Sequence, residues 1–479
     1  MEGITLDQGG GDAVTERSRH WVMMMATALA AMLSAMALWG LIQGLGLNSL
    51  GEMLQGHWQF LDIPYLLEHP LQSLLHQHSQ PPLLNAVVIL ANVIGGGDPY
   101  GGFVIVNTIT SVAVTAASIV LMRSLGCGLG LAIPMGLLYL VSPASLLNTA
   151  YPFYPVLTAL GYAGLALAFV LRRSHPGWSW TLLAVSVIYL ANLRSSFSML
   201  HAAFFSAAYF VAWYRSGGVQ LYRAWWTALI LVLAVLAVPA KNAWLYGSFS
   251  SSSWGPANMA KGVNIPLEAA YFPMPERLAR AMPELKCGPS YGYQDSAPRK
   301  SNGYPNFNSC IFLAYTQHVR RVFRERYDWH THAGRVWINA GRYLMLPDEY
   351  AALTNRLAID GYRNTFNRIF LPLGDSGQVT RWAIVLVLLL ASTRWIRRRD
   401  ATGWLLLIVW VHMVSHVITD GAEGQRFVFD VEFLWYVLAG VLLQGVWHWA
   451  QGRRLAPTRA QSNPLSACPD ASAATHPPL

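Results

Sequence analysis

This 479-residue chain has little charge. Charged residues make up 12% of it, against about 25% in an ordinary soluble domain. Hydrophobic residues make up 54%, and 19 positions are Trp. Most helices must therefore face lipid or one another. Nucleotide-binding signatures and common hydrolase signatures are also missing. There is no Walker-type loop, no Rossmann glycine fingerprint, no Gly-x-Ser-x-Gly elbow and no HExxH. Soluble nucleotide chemistry has no visible home, so a substrate would arrive on a lipid or from the far compartment. No repeat of 20 to 50 residues and no inverted pair of broken helices is visible, which argues against a solenoid or a symmetric transporter. No Asn-x-Ser/Thr sequon occurs, which leans toward a bacterial inner membrane.

What is present is a series of apolar runs near span length. The clearest are Trp21–Leu41, Phe103–Met122, Tyr154–Leu171, Ala224–Ala240, Trp382–Ala391, Trp404–Val417 and Phe433–Trp447. Shorter ones are Leu83–Ile94, Leu129–Val141, Trp180–Leu193 and Phe197–Tyr214. In hydrocarbon every backbone polar group must be satisfied within the segment, so these runs are read as helices. The expected fold is an all-α polytopic membrane protein with about 11 spans. The net charge of +9 is carried by short basic clusters beside the runs, such as Arg172/Arg173 and Arg394/Arg397/Arg398/Arg399. That is the positive-inside pattern rather than a nucleic-acid footprint.

This orientation gives a cytoplasmic segment 1–20 with no cleavable leader, and a membrane module over 21–239 with an outer loop at 48–82. A large outer loop domain follows at 240–381. Helices resume at 382–449, before a disordered cytoplasmic tail at 450–479. Crossing parity requires one of the 83–96 and 129–141 segments to be short, re-entrant or interfacial. Cys287 and Cys310 share the large loop, where a disulfide is expected in an oxidising compartment. Within that loop, 311–344 reads as a helix with aromatic residues beside arginines, suited to lying flat at headgroup level, and 347–370 as a second helix.

Loop 48–82 has no Lys or Arg in a strongly basic chain. It carries Glu52, Asp62, Glu68, His57, His69, His76 and His78, and closes in Ser79-Gln80-Pro81-Pro82. Asp62 is the foremost candidate: a carboxylate among Trp58, Phe60, Pro64 and Tyr65 can accept a proton or hold a hydroxyl group. A helix cap is the competing reading. His76 and His78, with Glu68 and His69, leave a divalent metal open, although polar pocket histidines fit better. Pro81-Pro82 holds an extended approach to the next helix. Arg194 stands in a tight turn between two runs, where an unpaired charge is costly; an arginine fork holds phosphate oxygens well. Lys241 and Arg426 are cations on the face that the orientation rule disfavours. Asp420, Glu423 or Asp430 are candidates to neutralise Arg426. The segment Ser248-Phe249-Ser250-Ser251-Ser252-Ser253-Trp254 matches no motif.

Taken together, Asp62, Gln80-Pro81-Pro82, Arg194, the 240–380 segment, and Glu423 with Arg426-Phe427 resemble the GT-C superfamily of polyprenyl-phosphate-sugar-dependent glycosyltransferases. Protein O-mannosyltransferases and the lipid A aminoarabinose transferase belong to it. Ile63 stands where many members have a second acid, and Gln80 where many have Lys. The resemblance implies sugar transfer at the outer membrane face to a glycan, lipid or protein acceptor. Asp62 would be catalytic. His76, His78, Gln80, Arg194, Lys241, Glu423 and Arg426 would bind substrate, with no certain cofactor and no nucleic-acid partner. A lipid or solute transporter and a glycan-binding scaffold are the alternatives; the first is favoured by His412 and His416, one turn apart in the penultimate run.

Overall fold

The computed structural model describes residues 30–47, 54, 56–57, 59–197, 199–215, 221–262, 299–343, 356–370, 386, 388–390, 392–393, 401–419 and 424–451. Among the described residues the helices, in order, are α1 Ala30–Gly44, α2 Ile63–Glu68, α3 Pro70–His76, α4 Leu83–Ile94, α5 Pro99–Ser124 and α6 Leu129–Leu140. Next come α7 Pro143–Ala150, α8 Pro155–Leu171, α9 Pro176–Leu193, α10 Met199–Tyr214, α11 Leu221–Tyr246 and α12 Gly255–Gly262. The last are α13 Cys310–Arg326, α14 Trp329–Tyr343, α15 Arg356–Phe370, α16 Ala401–Thr419 and α17 Gly424–Ala450. Among the described residues the only β pairing is an isolated bridge, Arg299 to Pro305.

The architecture is that of an all-α membrane protein. Four of the described helices are long and apolar enough to cross a bilayer, or five if α6 and α7 form one span. That pair bends by 50° at its break, so it is a broken span or a re-entrant loop. α4, one of the two segments in question for crossing parity, has 12 residues, short for a full span. The other expected runs fall within or overlap helices, though α1 is described only from Ala30 and α17 begins at Gly424 rather than Phe433; α1, α4, α8 and α10 have 10–17 residues, short for a full span. Most of Trp382–Ala391, the Cys287 side of the expected bridge and the tail lie outside the described residues. Cys310 is disulfide-bonded.

Proline sets many of the helix starts. α2, α3, α5, α7, α8 and α9 each carry it at the first or second position, where its missing N–H costs no helical bond. Pro82 is the N-cap of α4. Asp98 caps α5 through Tyr100 N at 3.0 Å, and Ser142 caps α7 through Ser145 N at 3.1 Å.

α8 is the hub, packed against α5, α9, α16 and α17. Small residues permit this. A Cβ on Gly161 of α8 would sit 2.6 Å from Leu190 of α9, and one on Gly102 of α5 would overlap the Ala91 carbonyl of α4. Helices in lipid associate by close packing and internal hydrogen bonds rather than by escape from water. α5 illustrates the second device. Thr108, Thr110, Thr115 and Ser118 return their hydroxyls to carbonyls four residues back, which satisfies them inside an apolar helix. Asn107 donates to Tyr151 O at 3.0 Å, and Ser111 meets Thr149 at 2.7 Å, tying α5 to α7. α11 exposes Trp225, Trp226 and Leu233, as expected of a helix whose outer face meets lipid.

The 311–344 segment forms two helices instead of one. The break falls at Tyr327-Asp328, where the Asp328 carboxylate accepts from His330 N and Thr331 N and caps α14. α14 lies across the ends of α16 and α17: Asn339 donates to Val417 O at 3.3 Å, and His332 reaches Ile418 O at 2.8 Å.

Candidate functional site

Asp62 occupies the N-cap position of α2, yet its side chain makes no cap bond. It is 5% exposed. Its carboxylate accepts from Ser301 Oγ at 2.6 Å and Ser301 N at 3.3 Å, across 239 residues of chain. The neighbouring Lys300 donates to His57 O at 2.8 Å. Burial pulls the Lys300 ammonium down to about 8, and the nearby Asp62 charge opposes that fall. A carboxylate and a titratable amine thus share a nearly dry niche, where each charge is worth more than at a wet surface.

A second cluster lies on residues 76–80. Lys241 donates to Gln77 O. Tyr246 donates to His76 O, and Ser252 to Ser79 O. Ser253 N donates to His78 O at 2.8 Å, and the His78 ring meets Ser253 Oγ at 2.9 Å. Asn308 Oδ1 accepts from His78 N at 2.7 Å and from Ser79 N at 3.1 Å. Gln80 reaches Ser252 Oγ at 3.4 Å. The serine segment, which matched no motif, is thus the strip that satisfies the extended backbone ahead of Pro81-Pro82. Burial first, and the Lys241 ammonium second, pushes His78 down to about 3 and lowers His76 as well. His78 is neutral at physiological pH and acts as a hydrogen-bonding wall.

Arg194 ends α9 with extended backbone, φ −137° and ψ 127°, and is 3% exposed. It pairs with Asp430 of α17, and its guanidinium lies 4.7 Å from the centre of the Tyr154 ring. Asp430, which the sequence offered as a partner for Arg426, is therefore the partner of Arg194. The physical reason is depth: Asp430 is fully buried, and a buried carboxylate needs a cation at its own level. Asp430 Oδ2 also lies 3.1 Å from His412 Nε2. Glu423 lies outside the described residues, and Arg426 is described only as part of the first turn of α17.

An aromatic chain runs between these regions. The His57 ring bonds Tyr151 OH and stacks on Phe153 at 4.7 Å. Phe153 packs on Tyr154 at 4.0 Å, and Tyr154 underlies Arg194. The structure thus links Asp62 to Lys300 and Ser301, joins His76, His78, Gln80 and Lys241 in one cluster, and seats Arg194 on Asp430. An apolar cavity of about 710 Å³ lies between α9 and α11, and its lining includes Trp180 and Trp226 but none of the sequence-predicted residues.

Lys300, Ser301, Asn308, Ser252 and Ser253 were missed in the sequence. For Lys300 a signal was available: like Lys241, it is a cation in a segment the orientation rule places outside. Histidine and aspartate groups able to share an ion do converge among the described residues, but at His412, His416 and Asp430 rather than around His76 and His78.

No protein-family description and no curated protein matches this sequence. Among solved structures, the chain is similar to the archaeal oligosaccharyltransferase AglB from Archaeoglobus fulgidus, in complex with an inhibitory peptide and a dolichol-phosphate. The identity is 12% and the TM-score 0.46, over 91% of this chain and 52% of that one. It is also similar to the Archaeoglobus fulgidus oligosaccharyltransferase in complex with Zn and sulfate, at 13% identity and TM-score 0.42, over 88% of this chain and 50% of that one. The chain spans about half the length of both. At these scores the likeness assigns no residue of this chain a role.

Proposed function

We propose that this protein is an integral-membrane glycosyltransferase that moves a sugar from a polyprenyl-phosphate carrier to an acceptor at the outer face of the inner membrane. The observation that carries the reading is the buried Asp62 carboxylate beside Lys300, at the junction of residues 57–62 with residues 299–305.

Asp62 accepts the acceptor hydroxyl's hydrogen bond and, as the sugar transfers, its proton. The bond from the anomeric carbon to the carrier phosphate breaks as the bond to the acceptor oxygen forms. The electron pair leaves on the phosphate. Lys300 and Lys241 supply the positive charge that this developing anion requires. Gln80 and the neutral His76 and His78 hold sugar hydroxyls. Arg194, already balanced by Asp430, acts on the site through Tyr154 and Phe153 as a positioning residue. Arg426 would add positive charge for the phosphate, and Glu423 would hold a substrate hydroxyl. The carrier's lipid anchor explains why no nucleotide-binding loop is present.

The transporter reading draws on the buried histidines of α16. Proteoliposomes loaded with a labelled polyprenyl-phosphate sugar distinguish the two. Glycosyl transfer should release polyprenyl phosphate and glycosylate a supplied lipid or peptide acceptor. Movement of the intact labelled lipid between leaflets, with no release, would refute the proposal.

A further inference from the structure

Two features set one place in the membrane helices apart from the Asp62 niche. His412 and His416 sit four residues apart on α16, so their imidazoles project from one face on successive turns. Their ring centres are 4.1 Å apart. The facing residue on α17 is Asp430. One ligand-capable atom from each of the three lies within 4.8 Å of the others. All three side chains are buried, at 0%, 3% and 0% exposure.

Hydrogen bonding already orients the set. His416 Nδ1 lies 2.8 Å from the His412 carbonyl. A carbonyl only accepts, so that nitrogen carries the proton and Nε2 carries the lone pair. A backbone carbonyl is one of the groups that commonly fix a ligating imidazole through its far nitrogen. Asp430 spends Oδ2 on Arg194 and His412. Its Oδ1 is buried and accepts no hydrogen bond among the described residues. A buried carboxylate oxygen left bare is costly, and a cation would remove that cost.

We propose that His412, His416 and Asp430 form a binding site for a divalent cation of the zinc class, clamping α16 to α17. Two imidazoles and one carboxylate suit zinc or cobalt rather than magnesium or calcium, which prefer oxygen alone. Three protein ligands leave one position for water or an anion. To ligate through Nε2, which lies 3.1 Å from Asp430 Oδ2, neutral His412 takes the tautomer with its ring proton on Nδ1, and the cation replaces the contact to Asp430. Arg194 and Tyr154 form the outer layer that holds the carboxylate. α14 seals the end of the helix pair through Val336 and Ala340 against Val417, Val428 and Met413. The site lies apart from Asp62, and the inference stands or falls independently of sugar transfer.

The test uses the full chain, purified without chelator on an affinity tag that contains no histidine. Cobalt(II) is the probe, read by its visible d–d absorption and by elemental analysis after dialysis, with zinc in competition. The wild type should retain about one cobalt per chain, displaced by zinc. His416→Ala and His416→Gln should each raise the cobalt Kd at least about tenfold; the Gln variant keeps a donor for the His412 carbonyl. His175→Ala, on an exposed loop, should change nothing. A wild type that retains no stoichiometric cobalt overturns the proposal without recourse to any variant. Unchanged cobalt binding in folded His416→Gln overturns it as well.

Discussion

Asp62→Asn keeps the size of the side chain and removes its charge. In the native protein the carboxylate accepts two hydrogen bonds from Ser301, at 2.6 and 3.3 Å. The amide oxygen can keep both as a neutral acceptor, at roughly half the strength. From about 1.5–3 kcal/mol for each bond to a charged group, halving both gives an expected stability loss of about 1.5–3 kcal/mol. The effect on Lys300 runs the same way: without the Asp62 charge that holds it up, its ammonium falls below about 8. The effect on transfer should be larger. A proton acceptor in the transition state contributes about 10²–10⁴ in rate, equivalent to about 3–5 kcal/mol of barrier. The assay is initial transfer rate in proteoliposomes, normalised to the folded fraction measured by thermal unfolding in the same lipid. A rate loss of about 100-fold or more, with only a modest loss of stability, is the expected result. If transfer per folded molecule stays within about threefold of wild type, Asp62 has no chemical role and the mechanism fails.

Two further predictions come from the same geometry. Lys300 sits below its ordinary value of 10.5, at about 8, so the unfolded chain holds an extra proton between about pH 8 and 10.5. Its contribution to stability therefore rises with pH across that window, while transfer falls as the ammonium is lost. Lys300→Arg should stay charged and move the alkaline limb of the pH–rate profile upward; an unmoved limb refutes the assignment. For the buried Arg194–Asp430 pair, Arg194→Met or Asp430→Leu alone should cost about 3–5 kcal/mol, because each leaves a charge uncompensated. The double variant should cost much less than the sum in a denaturation cycle, and strictly additive losses would show that the pair is not coupled.

Much of the helical framework was legible. Runs such as Leu83–Ile94 and Phe103–Met122 became α4 and α5 because an apolar run in lipid has to satisfy its backbone internally. The split at Tyr327-Asp328 was not foreseen, since the basic and aromatic faces continue across it. Only the capping by Asp328 reveals the break. Asp62 stood out because its own loop offered no cation. Lys300 did not, because its value depends on lying against His57, 243 residues earlier in the chain.

The sequence alone therefore determined which segments are apolar helices, and that an acid in a loop without Lys or Arg calls for a partner. It could not determine which partner. Hydropathy and periodicity act over a few turns, whereas the crossing of α9 with α17, or of residues 57–62 with residues 299–305, follows from how whole helices pack. That packing chose Asp430 for Arg194 and Ser301 for Asp62, and it brought two histidines of α16 to face a carboxylate of α17.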